Sequence, residues 1–156
     1  MRARLIAAGT RLPAWLNAGY EEYARRMPPE SPLELIEITI ARGGGAADAA
    51  RALKAEGERM LKAVPDGSWV AALEVTGRSY DTEALSRWWA RRLRDGRELV
   101  FLIGGPDGLA PACAERADER LSLSSLTLPH GLARVVLAEA LYRASSLLKG
   151  HPYHRA

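Results

Sequence analysis

Hydrophobic positions along the chain follow two spacings, one typical of buried strands and one typical of amphipathic helices. Short apolar runs of strand length lie at residues 2–8, 33–40, 69–75, 99–103 and 121–123. Segments with apolar residues at helical spacing separate or follow them, at 13–27, 46–64, 82–95, 111–118 and 132–148. This alternation predicts an α/β fold, with a mainly parallel sheet flanked by helices.

One strand is apolar throughout and leads into a glycine-rich loop. Residues 99–103 read Leu-Val-Phe-Leu-Ile, which predicts a strand buried on both faces. The next five residues, 104–108, read Gly-Gly-Pro-Asp-Gly, a sequence that can turn tightly and let a ligand approach the backbone. Ligands of open parallel sheets bind at the carboxyl ends of strands, so this loop is the candidate site, together with the strand-end loops after Leu73 and Leu123.

Composition limits the class of protein. The 156 residues predict a single domain over 1–156, and no apolar run approaches the ~20 residues of a membrane helix. With no signal peptide at the N-terminus, we expect a cytoplasmic protein that does not contact a membrane. The single Cys113 is interpreted as a small buried hydrophobe. A net charge of +3 is compatible with an anionic partner such as RNA.

Several common kinds of site have no motif here. The sequence contains no G-x-x-x-x-G-K-[ST], no G-x-G-x-x-G and no G-x-S-x-G, which argues against a phosphate loop, a dinucleotide fold and a hydrolase elbow. One Cys and three His, two of them in the last six residues, make a zinc site improbable, and we expect no metal. The strand-end loops suit a neutral or zwitterionic ligand held by backbone groups.

The last helix and the tail after it carry the remaining chemistry. The helix is apolar almost all round, which predicts that it also packs against a second subunit. Arg134 and Arg143 lie nine residues apart on it, either as surface charges or as partners for RNA phosphate. The tail reads His-Pro-Tyr-His-Arg at residues 151–155, and it is either a solvated end or a segment that folds over a ligand.

Three motifs together resemble one known family. They are Leu-Ile-Gly-Gly-Pro-Asp-Gly at 102–108, Leu-Ser-Ser-Leu-Thr-Leu-Pro-His at 123–130 and the tail at 151–155. In this order and at this chain length they are similar to the ribosomal large-subunit methyltransferase H family, within the SPOUT or α/β-knot superfamily. The resemblance implies S-adenosylmethionine-dependent methylation of N3 of a pseudouridine in 23S rRNA. The small net charge favours a large preformed substrate, either the large subunit or the assembled ribosome. The resemblance also implies a C-terminal trefoil knot and a homodimer whose sites lie at the interface.

The resemblance assigns a cofactor site residue by residue. The positions that would hold S-adenosylmethionine are Leu73, Gly104, Leu123, Ser124, Ser125, Leu126, Thr127 and Leu128.

The chemistry assigns candidates for catalysis. An imide nitrogen attacks a methyl group well only after losing its proton. His154 and Tyr153 are therefore candidates for proton handling, and Arg143 or Arg155 for stabilising the anion. Arg134 and Arg155 are candidates for holding the RNA, whereas His130 is interpreted as a cap of the last helix.

Two other classes of function remain open at this point. A non-catalytic, ribosome-associated factor of the same fold would bind RNA without binding S-adenosylmethionine. An α/β enzyme acting on a small nucleotide would turn over without RNA.

Overall fold

Five parallel strands form one sheet, with helices on both of its faces. We describe residues 1–40 and 45–154 of a computed structural model. In chain order the elements are β1 (Ala3–Ala8), α1 (Ala14–Ala24), β2 (Leu33–Ile38), α2 (Ala46–Lys62), β3 (Trp69–Ser79), α3 (Thr82–Asp95), β4 (Leu99–Ile103), α4 (Pro111–Arg116), β5 (Glu119–Ser122), α5 (His130–Leu148) and a 3-10 helix (Pro152–His154). The strand order is β2-β1-β4-β3-β5. The predicted α/β fold with a mainly parallel sheet is confirmed.

The apolar strand β4 occupies the centre of the sheet. It pairs with β1 on one side and β3 on the other, and all five of its residues are buried. The absence of polar positions matches this location, because helices cover both faces. The Gly-rich loop therefore leaves the sheet at its middle, where the carboxyl ends of neighbouring strands are nearest.

The helices form two layers with separate cores. Helices α1, α3 and α5 cover one face around Tyr20, Trp88 and Leu137, and α2 and α4 cover the other around Met60 and Cys113. Helix α5 packs against both α1 and α3. The interpretation of Cys113 as a buried hydrophobe is confirmed.

Helix α3 begins and ends as its sequence predicts. The Asp81 carboxylate accepts a hydrogen bond from the Ala84 backbone N–H at 2.7 Å, and Gly96 ends the helix with a φ of 76°. Trp88 and Trp89 are both buried in the core.

Strand β3 continues past the turn predicted after Leu73. Leu73 and Arg78 both align with Leu121 of β5, so residues 74–77 form a bulge between two paired segments. The bulge depends on Gly77, because a Cβ there would lie 2.7 Å from the Leu121 backbone nitrogen. This close approach of two backbones could not be read from the apolar pattern, which ends at Val75.

Helix α5 receives much of its cover from its own chain. Its fully buried positions face the sheet and the flanking helices, while Leu132, Val135 and Val136 are half-buried and Leu148 is exposed. The nearly all-round apolar pattern of α5 is therefore explained in part by its place between α1 and α3. Its incompletely covered positions are the ones available to a second subunit.

Candidate active site

The carboxyl ends of β3, β4 and β5 enclose a cleft of about 740 Å³. Its walls are the β3 bulge, the glycine loop after β4, the segment between β5 and α5, and the first turn of α5. The lining residues are Leu73, Glu74, Val75, Thr76, Ile103, Gly104, Gly105, Pro106, Gly108, Leu109, Leu123, Ser124, Leu126, Thr127, Leu128, Pro129, His130 and Ala133. Three loops that are distant in sequence therefore meet at one site, at the edge expected for a parallel sheet.

The glycine loop is closed by its own backbone. The Gly108 N–H donates to the Gly105 carbonyl at 2.9 Å, and Gly108 has a φ of 81°. A Cβ on Gly104 would lie 2.6 Å from the Leu109 nitrogen and closer still to the Gly108 carbonyl. A side chain at Gly104 would therefore push apart the backbone that forms this wall.

Two hydrogen bonds between residues close in sequence shape the segment after β5. The Ser122 hydroxyl donates to the Ser124 carbonyl at 2.9 Å, and the Leu126 N–H donates to the Ser124 hydroxyl at 2.9 Å. Leu126 is 73% exposed although it lines the cleft. An apolar side chain held at an open cleft offers contact area to a ligand.

The structure brings together most of the positions suggested for the cofactor. The candidates that line the cleft are Leu73, Gly104, Leu123, Ser124, Leu126, Thr127 and Leu128. Ser125 is exposed and is not among the lining residues.

The loop after Leu73 was predicted as part of the site, but Glu74 and Thr76 were not assigned individually. Glu74 and Thr76 line the cleft because the bulge lies at its wall. The Glu74 carboxylate also pairs with Arg120 at 3.2 Å. A signal was available for these positions, since they directly follow Leu73.

His130 lines the cleft instead of capping α5. It is the first residue of the helix, and no side-chain cap hydrogen bond is formed at this end, so the predicted capping role is wrong. Burial, followed by the nearby charge of Arg134, lowers the pKa of the His130 imidazole below its usual 6.5. His130 therefore presents a neutral imidazole to the cleft at neutral pH.

Arg134 lies in the protein interior, which contradicts its prediction as an RNA contact. It is 1% exposed. Its guanidinium pairs with Glu37 at 2.6 Å and donates to the carbonyls of Gly9 at 2.8 Å and Ala8 at 3.3 Å. These bonds tie α5 to the end of β1, so the side chain has a structural role and is not presented to an RNA phosphate.

Arg143 and Tyr153 meet through a residue that sequence reasoning missed. Glu139 accepts hydrogen bonds from Arg143 Nε at 2.8 Å and from the Tyr153 hydroxyl at 3.1 Å. The Arg143 guanidinium also lies 4.9 Å from the centroid of the Tyr153 ring. The spacing of four residues between Glu139 and Arg143 on a helix was a usable signal.

The cluster of Glu139, Arg143 and Tyr153 keeps Arg143 and Tyr153 in defined protonation states. The hydrogen bond to Glu139 raises the pKa of Arg143 further above its usual value. Burial, followed by hydrogen bonds to Tyr23 and Glu139, raises the pKa of the Tyr153 phenol well above 10. At neutral pH Tyr153 is therefore a hydrogen-bond donor and not a base.

The cluster and the cleft lie at different places along α5. Thirteen residues separate His130, in the cleft, from Arg143, which corresponds to about 20 Å at 1.5 Å per residue. His154 is described by its backbone alone, as the last residue of the 3-10 helix, and Arg155 lies outside the described residues. Within one chain, Tyr153 contacts the far part of α5 and not the cleft wall.

Comparison with known proteins gives the family. Residues 1–154 match the family described as "Predicted SPOUT methyltransferase". The chain belongs to the SPOUT methyltransferase family. It is 57% identical over 156 residues, the full length of both chains, to "Ribosomal RNA large subunit methyltransferase H" of Alkalilimnicola ehrlichii. The predicted resemblance and the prediction of a methyltransferase are confirmed.

A solved structure shares the overall fold. The "Probable Methyltransferase from Bordetella pertussis Tohama I" matches with a TM-score of 0.60 and 18% identity, over 92% of this chain and 95% of that chain. Residues 1–40 and 45–154 contain neither a group of three possible metal ligands nor a helix long and apolar enough to cross a membrane.

Proposed function

We propose that this SPOUT methyltransferase transfers the methyl group of S-adenosylmethionine to N3 of a pseudouridine in 23S rRNA, on the assembled ribosome in the cytoplasm. The observation that carries the proposal is the 57% identity over the whole length of a relative named as a ribosomal RNA large subunit methyltransferase. The tail motif at 151–155 lies within the matched length and supports the same assignment. We further propose that the chain acts as one methyltransferase domain.

The cleft fits S-adenosylmethionine in size and charge. Its volume of about 740 Å³ lies within the range of small-molecule sites. Within residues 1–40 and 45–154, none of the lining residues is Lys or Arg, although the chain has 22 of them. A phosphate-bearing nucleotide would favour cationic walls, whereas a sulfonium cation would be repelled by them. The charge pattern therefore supports S-adenosylmethionine over the small-nucleotide alternative.

The lining residues divide into an apolar part and a polar part. Leu73, Leu109 and Leu128 offer apolar contact to an adenosine group, and the backbone of the glycine loop offers hydrogen bonds. When bound, S-adenosylmethionine supplies an electrophilic methyl group on a sulfonium. We also propose the trefoil knot of this family, which is supported by the way the loops after β4 and β5 close on one cleft.

A homodimer would bring the tail of one subunit to the cleft of the other. Within a chain, about 20 Å of α5 separates the Tyr153 cluster from the cleft. Antiparallel contact of two α5 helices about a two-fold axis would place each cluster beside the partner's cleft. Trp15, which is 65% exposed on the neighbouring α1, and half-buried Val136 offer apolar surface for this contact.

The tail would then act on the nucleobase. The N3 proton must leave before methyl transfer, and we assign its acceptance to His154, because Tyr153 keeps its own proton at neutral pH. Tyr153 would position the tail by donating to Glu139. Arg143 would place a fixed positive charge near the anion that forms on the base.

Methyl transfer to ribosomes tests the proposal. Ribosomes that lack the modification would be incubated with labelled S-adenosylmethionine and either the intact chain or a chain ending at Gly150. We expect transfer by the intact chain alone, with cofactor binding kept by both. Binding without transfer by the intact chain would contradict the pseudouridine assignment, and turnover on a small nucleotide would favour the alternative enzyme.

A mixed dimer tests whether the tail acts across the interface. A Gly104→Ala subunit has a damaged cleft and an intact tail, and the subunit ending at Gly150 has the reverse. At S-adenosylmethionine concentrations well below the Kd of the Gly104→Ala cleft, we expect each homodimer to show little activity and the mixture to regain it, since the mixed dimer contains one complete site. Inactivity of a mixture whose heterodimer is verified by mass spectrometry would place the tail at its own cleft.

A further inference from the structure

The exposed face of α3 carries three arginines at helical spacing. Arg87, Arg91 and Arg94 follow one another at intervals of four and three residues, and all three are exposed. Among the residues described here, none of them forms a hydrogen bond or an ion pair through its side chain. Arginines three and four residues apart repel one another mildly, and the favourable positions of Glu83, four residues before Arg87, and of Arg94, in the last turn, offset only part of that repulsion.

Arg92 of the same helix has a structural role, because its guanidinium has partners within the chain. Arg92 points away from this face, lies 3.8 Å from the centroid of the Trp69 ring and pairs with Asp95 at 3.7 Å. Arg92 is only half-buried, yet its positive charge is paired with the Asp95 carboxylate. The three exposed arginines lack such partners in the described chain.

The helix is held firmly beneath this face. Trp88 is buried and donates through Nε1 to Glu119 of β5 at 2.6 Å. The Ser86 hydroxyl donates to the Ala144 carbonyl of α5 at 3.0 Å. The arginines therefore project from a rigid element, which lowers the entropy lost when they bind a partner.

The basic face follows one wall of the cleft closely in sequence. The β3 bulge lines the cleft up to Thr76, and Arg78 follows two residues later with its guanidinium 5.0 Å from the centroid of the Tyr80 ring. Arg78 and Arg91 both lower the pKa of Tyr80 electrostatically, against the larger effect of burial, which places the two cations near the same ring. Helix α3 then begins at Thr82.

We propose that Arg78, Arg87, Arg91 and Arg94 form a phosphate track that positions the RNA substrate across the cleft. The inference rests on the proposed function, and it assigns to α3 a role that the cleft and the tail do not fill. The guanidinium group suits phosphate because it donates two hydrogen bonds in one plane. Glu83 shares this face of the helix and Glu119 bonds to Tyr80 beside it, which leaves four cations against two anions.

The phosphate track explains how a chain with a small net charge can bind RNA. A total of +3 is low for an RNA-binding enzyme, but clustering of cations on one rigid face gives a local field that the total does not reveal. A second copy of the chain is a poorer occupant, because a two-fold contact would bring identical basic faces together. Phosphate contacts carry no base specificity, so this surface orients the RNA and leaves base choice to the cleft.

A charge-neutralised variant and a matched control test the track. The variant is Arg87→Gln/Arg91→Gln/Arg94→Gln. The control is Arg51→Gln/Lys54→Gln/Lys62→Gln, which removes the same charge from exposed positions of α2, on the opposite face of the sheet. A third chain, with lysine at the three α3 positions, keeps the charge.

The measurements separate RNA binding from catalysis. They are the KM and kcat for ribosomes lacking the modification, sedimentation binding to those ribosomes at several salt concentrations, and the calorimetric Kd for S-adenosylmethionine. For the α3 glutamine variant we expect a KM about 10- to 100-fold higher and a salt slope smaller by about 2, from the loss of three phosphate contacts. Its kcat at saturation and its cofactor Kd should match those of the wild type, and the lysine chain should keep most of the salt slope.

Three results would overturn the track. They are ribosome binding by the α3 glutamine variant within twofold of the wild type, an equal loss in the α2 control, and a parallel loss of cofactor affinity. Sedimentation needs no methyl transfer. A wild-type chain that binds ribosomes without methylating them would therefore refute the proposed reaction while the comparison of variants still decides the track.

Discussion

Replacing Gly104 by alanine should weaken cofactor binding without unfolding the chain. The new Cβ would lie 2.6 Å from the Leu109 nitrogen, whereas an ordinary contact is at least 3.4 Å, a shortfall of about 0.8 Å. The atoms in the way belong to the backbone of the cleft wall, so no side-chain rotation relieves the overlap. Overpacking of this kind costs about 1–3 kcal/mol. If ligand binding must restore the loop, Kd for S-adenosylmethionine rises about 5- to 150-fold.

Isothermal titration calorimetry of the wild type, Gly104→Ala and Gly45→Ala measures this effect. Gly45→Ala is the matched control, because its Cβ would meet no atom of residues 1–40 or 45–154 within 4 Å and its φ is −143°. We expect the control to bind within twofold of the wild type, and both variants to keep their far-ultraviolet circular dichroism spectra. A Gly104→Ala chain that is folded and binds the cofactor as tightly as the wild type would refute the steric reasoning.

Three further predictions follow from buried groups. Arg134→Met should lower the free energy of unfolding, measured in urea, by about 2–4 kcal/mol, because buried carbonyls lose their hydrogen-bond donor. The control Arg25→Met, at an exposed position, should change it by less than about 0.5 kcal/mol. Equal effects of the two substitutions would contradict the structural role of Arg134. The lowered pKa of His130 means that the unfolded chain binds a proton which the folded chain excludes, so stability should be full above pH 6.5 and fall below it, and His130→Gln should reduce that fall in urea titrations at pH 5 and 7.5. An unchanged fall would assign it to other groups. Burial raises the pKa of Cys113 to about 11, so a thiol reagent at pH 8 should label the native chain far more slowly than the unfolded chain, and equal rates would contradict the buried location.

The parts of the fold that were predictable depend on local pattern. The apolar run of β4 predicts a central strand because a strand covered on both faces has no place for a polar side chain. Asp81 and Gly96 mark the ends of α3 because capping involves neighbouring residues only. The loops of the cleft could be placed at one edge because parallel strands all end on the same side.

Contacts between distant segments decided the rest. The β3 bulge exists because Gly77 lets two backbones meet, and α5 starts two residues earlier than its apolar pattern. The incorrect assignment of Arg134 has the same origin. Its charge predicts the surface, but its partners, Glu37 and two carbonyls near the end of β1, lie more than 90 residues away in sequence.

The sequence by itself determined the class of fold, the edge of the sheet that carries the cleft and the motifs of a methyltransferase family, because periodicity and short motifs are local properties. Only the tertiary structure decided which cations are exposed and which are matched. Arg134 and Arg87 have the same guanidinium, yet one is buried against carbonyls and the other projects from α3. The physical reason is that the environment of a charge is set by residues brought close in space, and a linear pattern does not contain those distances.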